Sequence, residues 1–259
     1  LFEKAVEAFD FAIAIDEGYT AAYFNKANAL ANIGLYRQAI RTYQETFAIE
    51  EPEAVTHYYI GECYEHLDEF EAARQHYLLS IQLDEHLADA WMGAGICTEA
   101  LGEDDKALKY MRKATELDGM NPEFWFMLGD LLSRTGNTKD AIVAYQRVSE
   151  IEPENPEIWL EYSDLFAKQQ NMEEAIAIIR KGIEHLSTDT ELHYRLGAYL
   201  MLSGKQQEAF SLFEKALALN FKGHQVLFAY RPELQHNTDI LRLIDSYRQP
   251  ASGKSGEKL

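Results

Sequence analysis

Few residue groups in this sequence could do chemistry, and each lacks part of the motif that it resembles. Gly253-Lys254-Ser255 has the order found at the end of a phosphate-binding P-loop, but that motif needs a glycine five residues earlier, where Arg248 stands. The sequence contains neither a Gly-x-Ser-x-Gly nucleophile elbow nor a His-Glu-x-x-His zinc pair. We therefore expect no catalytic residues and no bound cofactor, so the chain is predicted not to be an enzyme.

A metal site is the other chemistry to consider, because Cys63 and His66 stand in a Cys-x-x-His spacing beside Glu62. Zinc needs about four ligands that converge on one point. Cys63 is expected to face the core and His66 a surface groove, so we expect no metal site. Cys63 and Cys97 are the only cysteines and lie 34 residues apart. Packed helices are about 8–10 Å apart, too far for a disulfide, so we predict two free, buried thiols.

Small and aromatic residues recur every 34 positions, and this period identifies the elements that carry the chain. One register holds seven alanines without a slip in frame: Ala5, Ala39, Ala73, Ala107, Ala141, Ala175 and Ala209. A second register holds small residues: Ala27, Gly61, Gly95, Gly129, Ser163 and Gly197. Four residues before each of these stands a ring that is expected to pack: Tyr23, His57, Trp91, Trp125, Trp159 and His193. Offsets of three, four and seven predict two amphipathic helices in each period.

The two predicted helices of each period are separated by a short turn. Residues that tolerate a left-handed backbone occupy this turn: Gly34, Asp68, Gly102, Gly136, Gln170 with Asn171, and Gly204. A single helix pair cannot bury both of its faces, whereas stacked pairs can, and this explains why the unit repeats.

The pattern is clearest in residues 122–155, which carry Trp125, Leu128, Gly129, Ala141, Tyr145 and Pro153. This W-x2-L-G … A-x3-Y … P spacing at a 34-residue period resembles the tetratricopeptide repeat (TPR) family. The resemblance implies an all-α fold, a right-handed superhelical solenoid of antiparallel helix pairs. Ser163 in place of glycine, Thr98 in place of a larger apolar residue, and Glu85 and Gly119 in place of proline are local departures from the pattern.

The repeat frame predicts one solenoid over residues 1–248. Its parts are a half repeat at 1–19, full repeats at 20–53, 54–87, 88–121, 122–155, 156–189 and 190–223, and capping helices at 224–248. Asn121, Asn155 and Asp189 are predicted helix N-caps. Pro232 is predicted to break the cap, and a last helix with Leu241 and Ile244 facing inward follows. Residues 249–259 are rich in Gly, Ser and Lys, so we expect a disordered tail.

Composition excludes several classes of function. The net charge of −19 argues against nucleic acids, which need a basic surface to neutralise their phosphates. The sequence has no apolar run of about 18 residues, so membrane insertion is not expected. No signal peptide is visible, and the chain begins without Met, halfway through a repeat. A truncated N-terminus and a cytoplasmic location are expected, and the periplasm stays open as an alternative.

The resemblance also implies where a ligand would bind, because TPR ligands usually lie in the concave groove lined by the first helix of each pair. Positions 2, 5, 9, 12 and 13 of each repeat point there, and these thirty residues include nine acids and two strong bases, Arg134 and Lys168. Position 5 is apolar or aromatic throughout. The predicted binding residues are Phe24, Asn28, Tyr58, Glu62, Asp89, Met92, Phe126, Asp130, Leu160, Asp164, Glu191 and Tyr194.

The function predicted from these features is a non-enzymatic scaffold that binds a peptide or helix with apolar and basic residues. The chaperone-tail clamp of some TPR proteins needs groove lysines, but Phe24, Tyr58 and Glu123 stand at those positions, so an acidic tail is not expected to bind. A solvated acidic face without a ligand is the simplest alternative. Two others stay open: the regulatory part of an enzyme whose catalytic domain lies outside this chain, and self-assembly into a homo-oligomer through the uncapped N-terminal helix.

Overall fold

Helices begin where the repeat frame places them. The computed structural model describes residues 2–248, which contain fifteen α-helices, two short 3-10 helices and no strand. The helices are α1 Phe2–Ile15, α2 Thr20–Asn32, α3 Tyr36–Thr46, α4 Ala54–Glu65, α5 Phe70–Leu83, α6 Ala88–Ala100, α7 Asp104–Leu117, α8 Pro122–Arg134, α9 Thr138–Ile151, α10 Pro156–Lys168, α11 Met172–His185, α12 Thr190–Leu202, α13 Gln206–Leu219, α14 His224–Tyr230 and α15 Thr238–Tyr247. Helices α2, α4, α6, α8, α10 and α12 each start at the first residue of a predicted repeat.

The chain divides into two compact units, Leu1–Gly136 and Asn137–Leu259. The division falls in the turn between the two helices of the repeat at 122–155. Within each unit, consecutive helices are joined by short turns and pack against each other, as α6 does with α5 and α7, and as α12 does with α11 and α13. The all-α solenoid of antiparallel helix pairs predicted from the sequence is therefore confirmed.

The small residues of the two registers mark the places where helices come closest. Six of the seven register alanines are fully buried, and Ala5 is half-buried. The ring of Tyr77 lies against two glycines of α4 and α6. A Cβ atom on Gly61 would stand 2.8 Å from its Cε1 atom, and one on Gly93 would stand 2.5 Å from its Cζ atom. The ring therefore fills space that exists only because two side chains are missing.

Each turn between paired helices contains one left-handed residue, as predicted. Four are glycines, with φ between 75° and 80° at Gly34, Gly102, Gly136 and Gly204. Asp68 and Gln170 adopt the same conformation, with φ of 58° and 63°. Residues with a Cβ atom pay roughly 1–2 kcal/mol for this backbone region, so the geometry of the turn outweighs the local preference of these two residues.

The tryptophans that stand four residues before the second register have a role that the sequence pattern did not reveal. Each indole Nε1–H donates a hydrogen bond to the backbone carbonyl six residues earlier, in the loop that leads into its repeat. Trp91 donates to Glu85 at 2.8 Å, Trp125 donates to Gly119 at 3.0 Å, and Trp159 donates to Pro153 at 2.8 Å. The acceptor is main chain, so the contact does not require proline at the end of a repeat.

Capping occurs largely where the sequence indicates it. The side chains of Asn121, Asn155 and Asp189 accept hydrogen bonds from backbone N–H groups in the first turn of α8, α10 and α12. Helix α14 ends before Pro232, which opens a 3-10 helix. In α15 the predicted inward pair was wrong in one member: Ile240 and Ile244 are buried, whereas Leu241 is 40% exposed.

The i,i+4 pair of Ile240 and Ile244 forms the buried stripe of α15. Leu241 lies one residue along the helix and is therefore turned about 100° away from that stripe, towards solvent. The predicted disordered tail at 249–259 lies outside the described residues.

A pair of imidazoles, the buried His57 and the half-buried His76, joins the two helices of the second full repeat. The Nδ1 atoms of His57 in α4 and His76 in α5 lie 3.0 Å apart, so one ring donates and the other accepts. Phe47 contacts the ring of His57, and Tyr64 stacks on that of His76. Burial, and then the neighbouring His57, lowers the pKa of His76 from its ordinary value of 6.5 to about 4. Burial also lowers the pKa of His57.

Stability should therefore fall with acidification in a defined window. Between about pH 6.5 and 4 the unfolded chain binds a proton at His76 that the folded chain does not, so the free energy of unfolding decreases as pH is lowered through this range. We expect a loss of about 1–2 kcal/mol, a reduced figure because the ring is only partly buried. The His76→Phe variant should lose much of this pH dependence in urea unfolding between pH 7 and 4.5. His86→Phe, at an exposed site, is the control and should keep it.

The close approach of Gly61 to the Tyr77 ring predicts that one added methyl group at residue 61 lowers stability. Gly61→Ala should lower the free energy of unfolding by about 1–2 kcal/mol, because the new Cβ overlaps the ring and the strain exceeds the helix propensity that alanine gains. Gly119→Ala is the matched control, because its Cβ would meet only the Thr115 carbonyl oxygen at 3.5 Å. Equal urea midpoints for the two variants would contradict the close packing described here.

Candidate protein-binding site

The first helices of the first unit form a face that contains an acidic cavity. This cavity of about 240 Å³ lies among α4, α6 and α8 and is lined by Tyr58, Glu62, Glu65, His66, Tyr77, Asp89, Met92, Gly93, Ile96, Glu123, Phe124 and Met127. Four of these residues are carboxylates, contributed by three different helices. The structure thus brings together four predicted binding residues, two from α4 and two from α6.

Neutral donors hold the carboxylates of α4. Tyr58 Oη donates to Glu62 Oε1 at 2.8 Å, and Tyr77 Oη donates to Glu65 Oε2 at 2.7 Å. Within residues 2–248, none of the cavity carboxylates forms an ion pair with a lysine or arginine. A phenol satisfies a hydrogen bond but leaves the negative charge in place, so the cavity keeps a net negative charge.

Electrostatics at Glu62 show the consequence of this arrangement. Burial raises the pKa of the Glu62 carboxyl, and the nearby charges of Glu65 and Asp89 raise it further, although the hydrogen bond from Tyr58 and the neighbouring His66 oppose the shift. A positive group in the cavity would offset the cost of burying Glu62 and reduce the repulsion between the carboxylates. The carboxylates of this cavity therefore repel one another without a described lysine or arginine to offset their charge.

An aromatic wall borders the acidic cavity on the side of α2. The ring of Tyr59 lies 5.6 Å from Phe24 and 6.0 Å from Tyr43, and Tyr58 packs edge-on against Tyr59 at 5.2 Å. A second cavity, of about 400 Å³, lies beside these rings and shares Glu62 and His66 with the first. The Tyr43 hydroxyl donates to Asn28, another predicted binding residue. The first unit thus combines an apolar surface with an unpaired negative charge.

The predicted apolar stripe is not continuous. Phe24, Tyr58, Phe126 and Leu160 are half-buried, but Met92 is 3% exposed and Tyr194 is 2% exposed. The expectation of an exposed stripe was wrong at Met92 and Tyr194, because neighbouring helices cover these two side chains. Met92 still lines the acidic cavity, whereas the Tyr194 hydroxyl is buried without a hydrogen-bond partner among the described residues.

Several predicted groove charges neutralise each other. The predicted groove base Arg134 pairs with Glu99 in the first unit, while Asp130 stays exposed on the same helix. In the second unit, Asp164 Oδ2 lies 2.9 Å from Lys168 Nζ, and its Oδ1 atom lies 3.7 Å from Arg195.

Glu191 also faces Arg195, with 4.0 Å between the nearest charged atoms. The predicted acidity of the groove is therefore weaker than the count of nine acids to two bases suggested. At Asp164 it is offset by a lysine and an arginine.

Sequence reasoning missed the tyrosines that reach this face from the second helices. Tyr43 and Tyr77 stand four residues after register alanines, at the position that Tyr145 holds in the repeat at 122–155. Their rings do pack, but their hydroxyls cross to the other helix of the pair and bind Asn28 and Glu65. A buried tyrosine usually finds a hydrogen-bond partner, so tyrosine in place of Phe or Met at this position was the available signal.

The cysteine and metal predictions can also be compared with the structure. Cys63 and Cys97 are free and buried, as predicted. Burial raises the pKa of each thiol to about 12, so both stay protonated. His66 is exposed and stacks on Tyr36 with 4.7 Å between ring centroids, apart from the buried Cys63. The described residues contain no group of three or more His, Cys, Asp or Glu suited to hold a metal ion.

Helix pairs of this spacing, with small residues at their contacts, define a TPR protein. Residues 6–230 match the family model of the cilia and flagella-associated protein 70 C-terminal domain, and the chain belongs to that family. The search of curated proteins returned no match. No helix in the described part of the chain is long and apolar enough to cross a membrane.

Solved TPR structures share this fold at low sequence identity. The C-terminal part of a TPR repeat-containing protein from Cytophaga hutchinsonii is 18% identical, with a TM-score of 0.73 over 87% of this chain and 93% of that one. PilF of Pseudomonas aeruginosa is 16% identical, with a TM-score of 0.61 over 84% and 98%. YrrB, described as a TPR protein with an unusual peptide-binding site, is 18% identical, with a TM-score of 0.53 over 88% and 99%.

The hydrogen bond from Tyr77 to Glu65 predicts that removing the Tyr77 hydroxyl lowers stability measurably. Tyr77→Phe keeps the ring between its glycines but removes the short hydrogen bond to Glu65 and leaves that carboxylate only the weak thiol donor of Cys97 at 3.8 Å, so the free energy of unfolding should fall by about 1–2 kcal/mol. Tyr110→Phe is the control, because the Tyr110 ring packs on Trp91 and the substitution keeps that ring. Urea unfolding of both variants measures the difference, and an equal loss in the two would show that the hydroxyl of Tyr77 has no specific role.

Proposed function

We propose that this protein is a non-enzymatic interaction scaffold whose first unit binds a peptide or helix that carries basic and apolar residues. The observation that carries the proposal is the cavity among α4, α6 and α8, where four carboxylates lie together without a lysine or arginine partner among the described residues. A folded chain gains nothing from such an arrangement by itself, because like charges in one cavity repel each other.

The two neighbouring surfaces of the first unit suit the two parts of such a partner. A lysine or arginine side chain enters the acidic cavity and reaches Glu62 and Asp89. An adjacent apolar side chain packs on the rings of Phe24 and Tyr59. Partly exposed aromatic groups beside polar ones are typical of interaction surfaces. The apolar contact supplies most of the affinity, and the carboxylates supply orientation and a faster approach.

The fold supports a scaffold role in general terms. Stacked helix pairs hold their first helices in fixed register and so preorganise a binding surface. YrrB, which shares this fold, is described as having a peptide-binding site. The identity of that ligand does not transfer to this chain, because the likeness concerns the fold alone.

Charge reversal in the cavity should remove binding of a basic peptide. The probe is a fluorescent 20-residue amphipathic helix of leucine, lysine and arginine, measured by anisotropy. The Asp89→Lys/Glu123→Lys variant should bind it at least tenfold more weakly, because two cavity acids become bases. Glu45→Lys/Asp105→Lys carries the same change in net charge on the exposed second helices α3 and α7, and should bind within about twofold of the wild type.

Two further measurements separate this proposal from general attraction to an acidic protein. A probe with glutamate in place of lysine and arginine should not bind the wild type. Association with the basic probe should slow by about tenfold between 20 and 500 mM salt, because screening removes the steering field. Equal weakening in both double variants would show that net charge, and not the cavity, attracts the probe, and the proposal would be wrong.

A further inference from the structure

The first-helix face of the second unit is already occupied, by a side chain of the same chain. Tyr230 is the last residue of α14, and it reaches α10 and α12. Its hydroxyl lies 3.1 Å from Asp164 Oδ1, to which it donates a hydrogen bond across 66 residues of sequence. Asp164 was a predicted binding residue, so Tyr230 stands where the repeat pattern expects a ligand.

The contacts of Tyr230 are those of a ligand in a receptor. The guanidinium of Arg195 stacks over the ring, with Cζ 3.6 Å from the centroid, a short cation–π distance. The ring of Tyr199 meets it edge-on at 6.1 Å. A cation above the ring, an aromatic edge beside it and a carboxylate at the hydroxyl together recognise a phenol and distinguish it from a phenylalanine or a leucine.

The receptor is built without α14. Lys168 Nζ and the Arg195 guanidinium hold Asp164 from two sides, at 2.9 Å and 3.7 Å. The hydroxyls of Tyr199 and the buried Ser163 lie 3.2 Å apart, which orients the tyrosine ring. All of these residues belong to α10 and α12, so the contacts that shape the site do not involve α14.

The segment that carries Tyr230 is weakly anchored. Helix α14 has seven residues, of which Leu227 is the one buried residue, and 3-10 helices flank it on both sides. Helix α12, by contrast, buries eight of its thirteen residues. Local opening requires less free energy where fewer apolar contacts are lost, so α14 can open while α12 stays folded.

We infer that α10 and α12 form a tyrosine-binding site that Tyr230 fills in the resting chain and that a tyrosine of a partner peptide takes when α14 opens. The site is separate from the acidic cavity of the first unit and selects a different kind of side chain. Its ligand is recognised through a phenol, whereas the first unit recognises a cation. The chain would thus offer two binding surfaces, one open and one held closed by its own C-terminal segment.

The test uses the full chain and a labelled peptide of its own sequence, residues 221–236, as the probe. Tyr230→Ala should bind this peptide at least tenfold more tightly than the wild type, because the resident tyrosine no longer competes. Adding Arg195→Ala to that variant should weaken binding at least tenfold. A peptide with alanine at position 230 should not bind. Gln225→Ala, an exposed change on α14 that leaves Tyr230 in place, is the control and should behave as the wild type.

Hydrogen exchange of the wild-type chain tests the opening directly and does not depend on the stability of any variant. Amides of α14 should exchange at least tenfold faster than those of α12. Exchange of α14 only on global unfolding would overturn the inference, as would equal peptide binding by the wild type and Tyr230→Ala. If light scattering showed that the wild type dimerises as its concentration rises, the tyrosine that fills the site would come from a second copy of this chain. The inference of a separate partner peptide would then be wrong.

Discussion

The contact of the Tyr77 ring with Gly61 and Gly93 shows the constraint on which the first unit depends. Helices α4 and α6 leave space for the ring only because neither glycine has a Cβ atom. The Tyr77 ring then fills the space between its own helix, α5, and the helices α4 and α6. Its hydroxyl donates a hydrogen bond to Glu65, which lines the acidic cavity. One close approach therefore sets the helix spacing, fills the core and positions a carboxylate of the candidate site.

The faces of the two units differ in how their acids are balanced. In the second unit, Lys168 and Arg195 lie beside Asp164, and Tyr230 covers it. In the first unit, phenol hydroxyls bind Glu62 and Glu65 and no described lysine or arginine pairs with either of them. A hydroxyl satisfies the geometry of a carboxylate without cancelling its charge. The carboxylates of the first face therefore keep their negative charge, whereas a lysine and an arginine offset the charge of Asp164.

Departures from the repeat pattern are explained by backbone contacts. Trp91 and Trp125 bind carbonyl oxygens of Glu85 and Gly119, and Trp159 binds that of Pro153 in the same way. Buried Thr98 likewise donates to a carbonyl of its own helix at 2.6 Å. The tryptophan contact needs only a main-chain carbonyl, which glutamate and glycine supply as proline does.

The sequence by itself determined the helices, the starts of the first helices and the turns, because these follow from interactions between residues close in the chain. The 34-residue registers predicted the start of every first helix, and the left-handed turn residues and the N-caps at Asn121 and Asn155 were read from local patterns. Only the tertiary structure decided which groove residues are exposed and which charges are paired. Met92 is covered by neighbouring helices, and Asp164 meets a partner 66 residues away. Periodicity specifies which face a side chain occupies, but burial and pairing depend on what the rest of the chain places against that face.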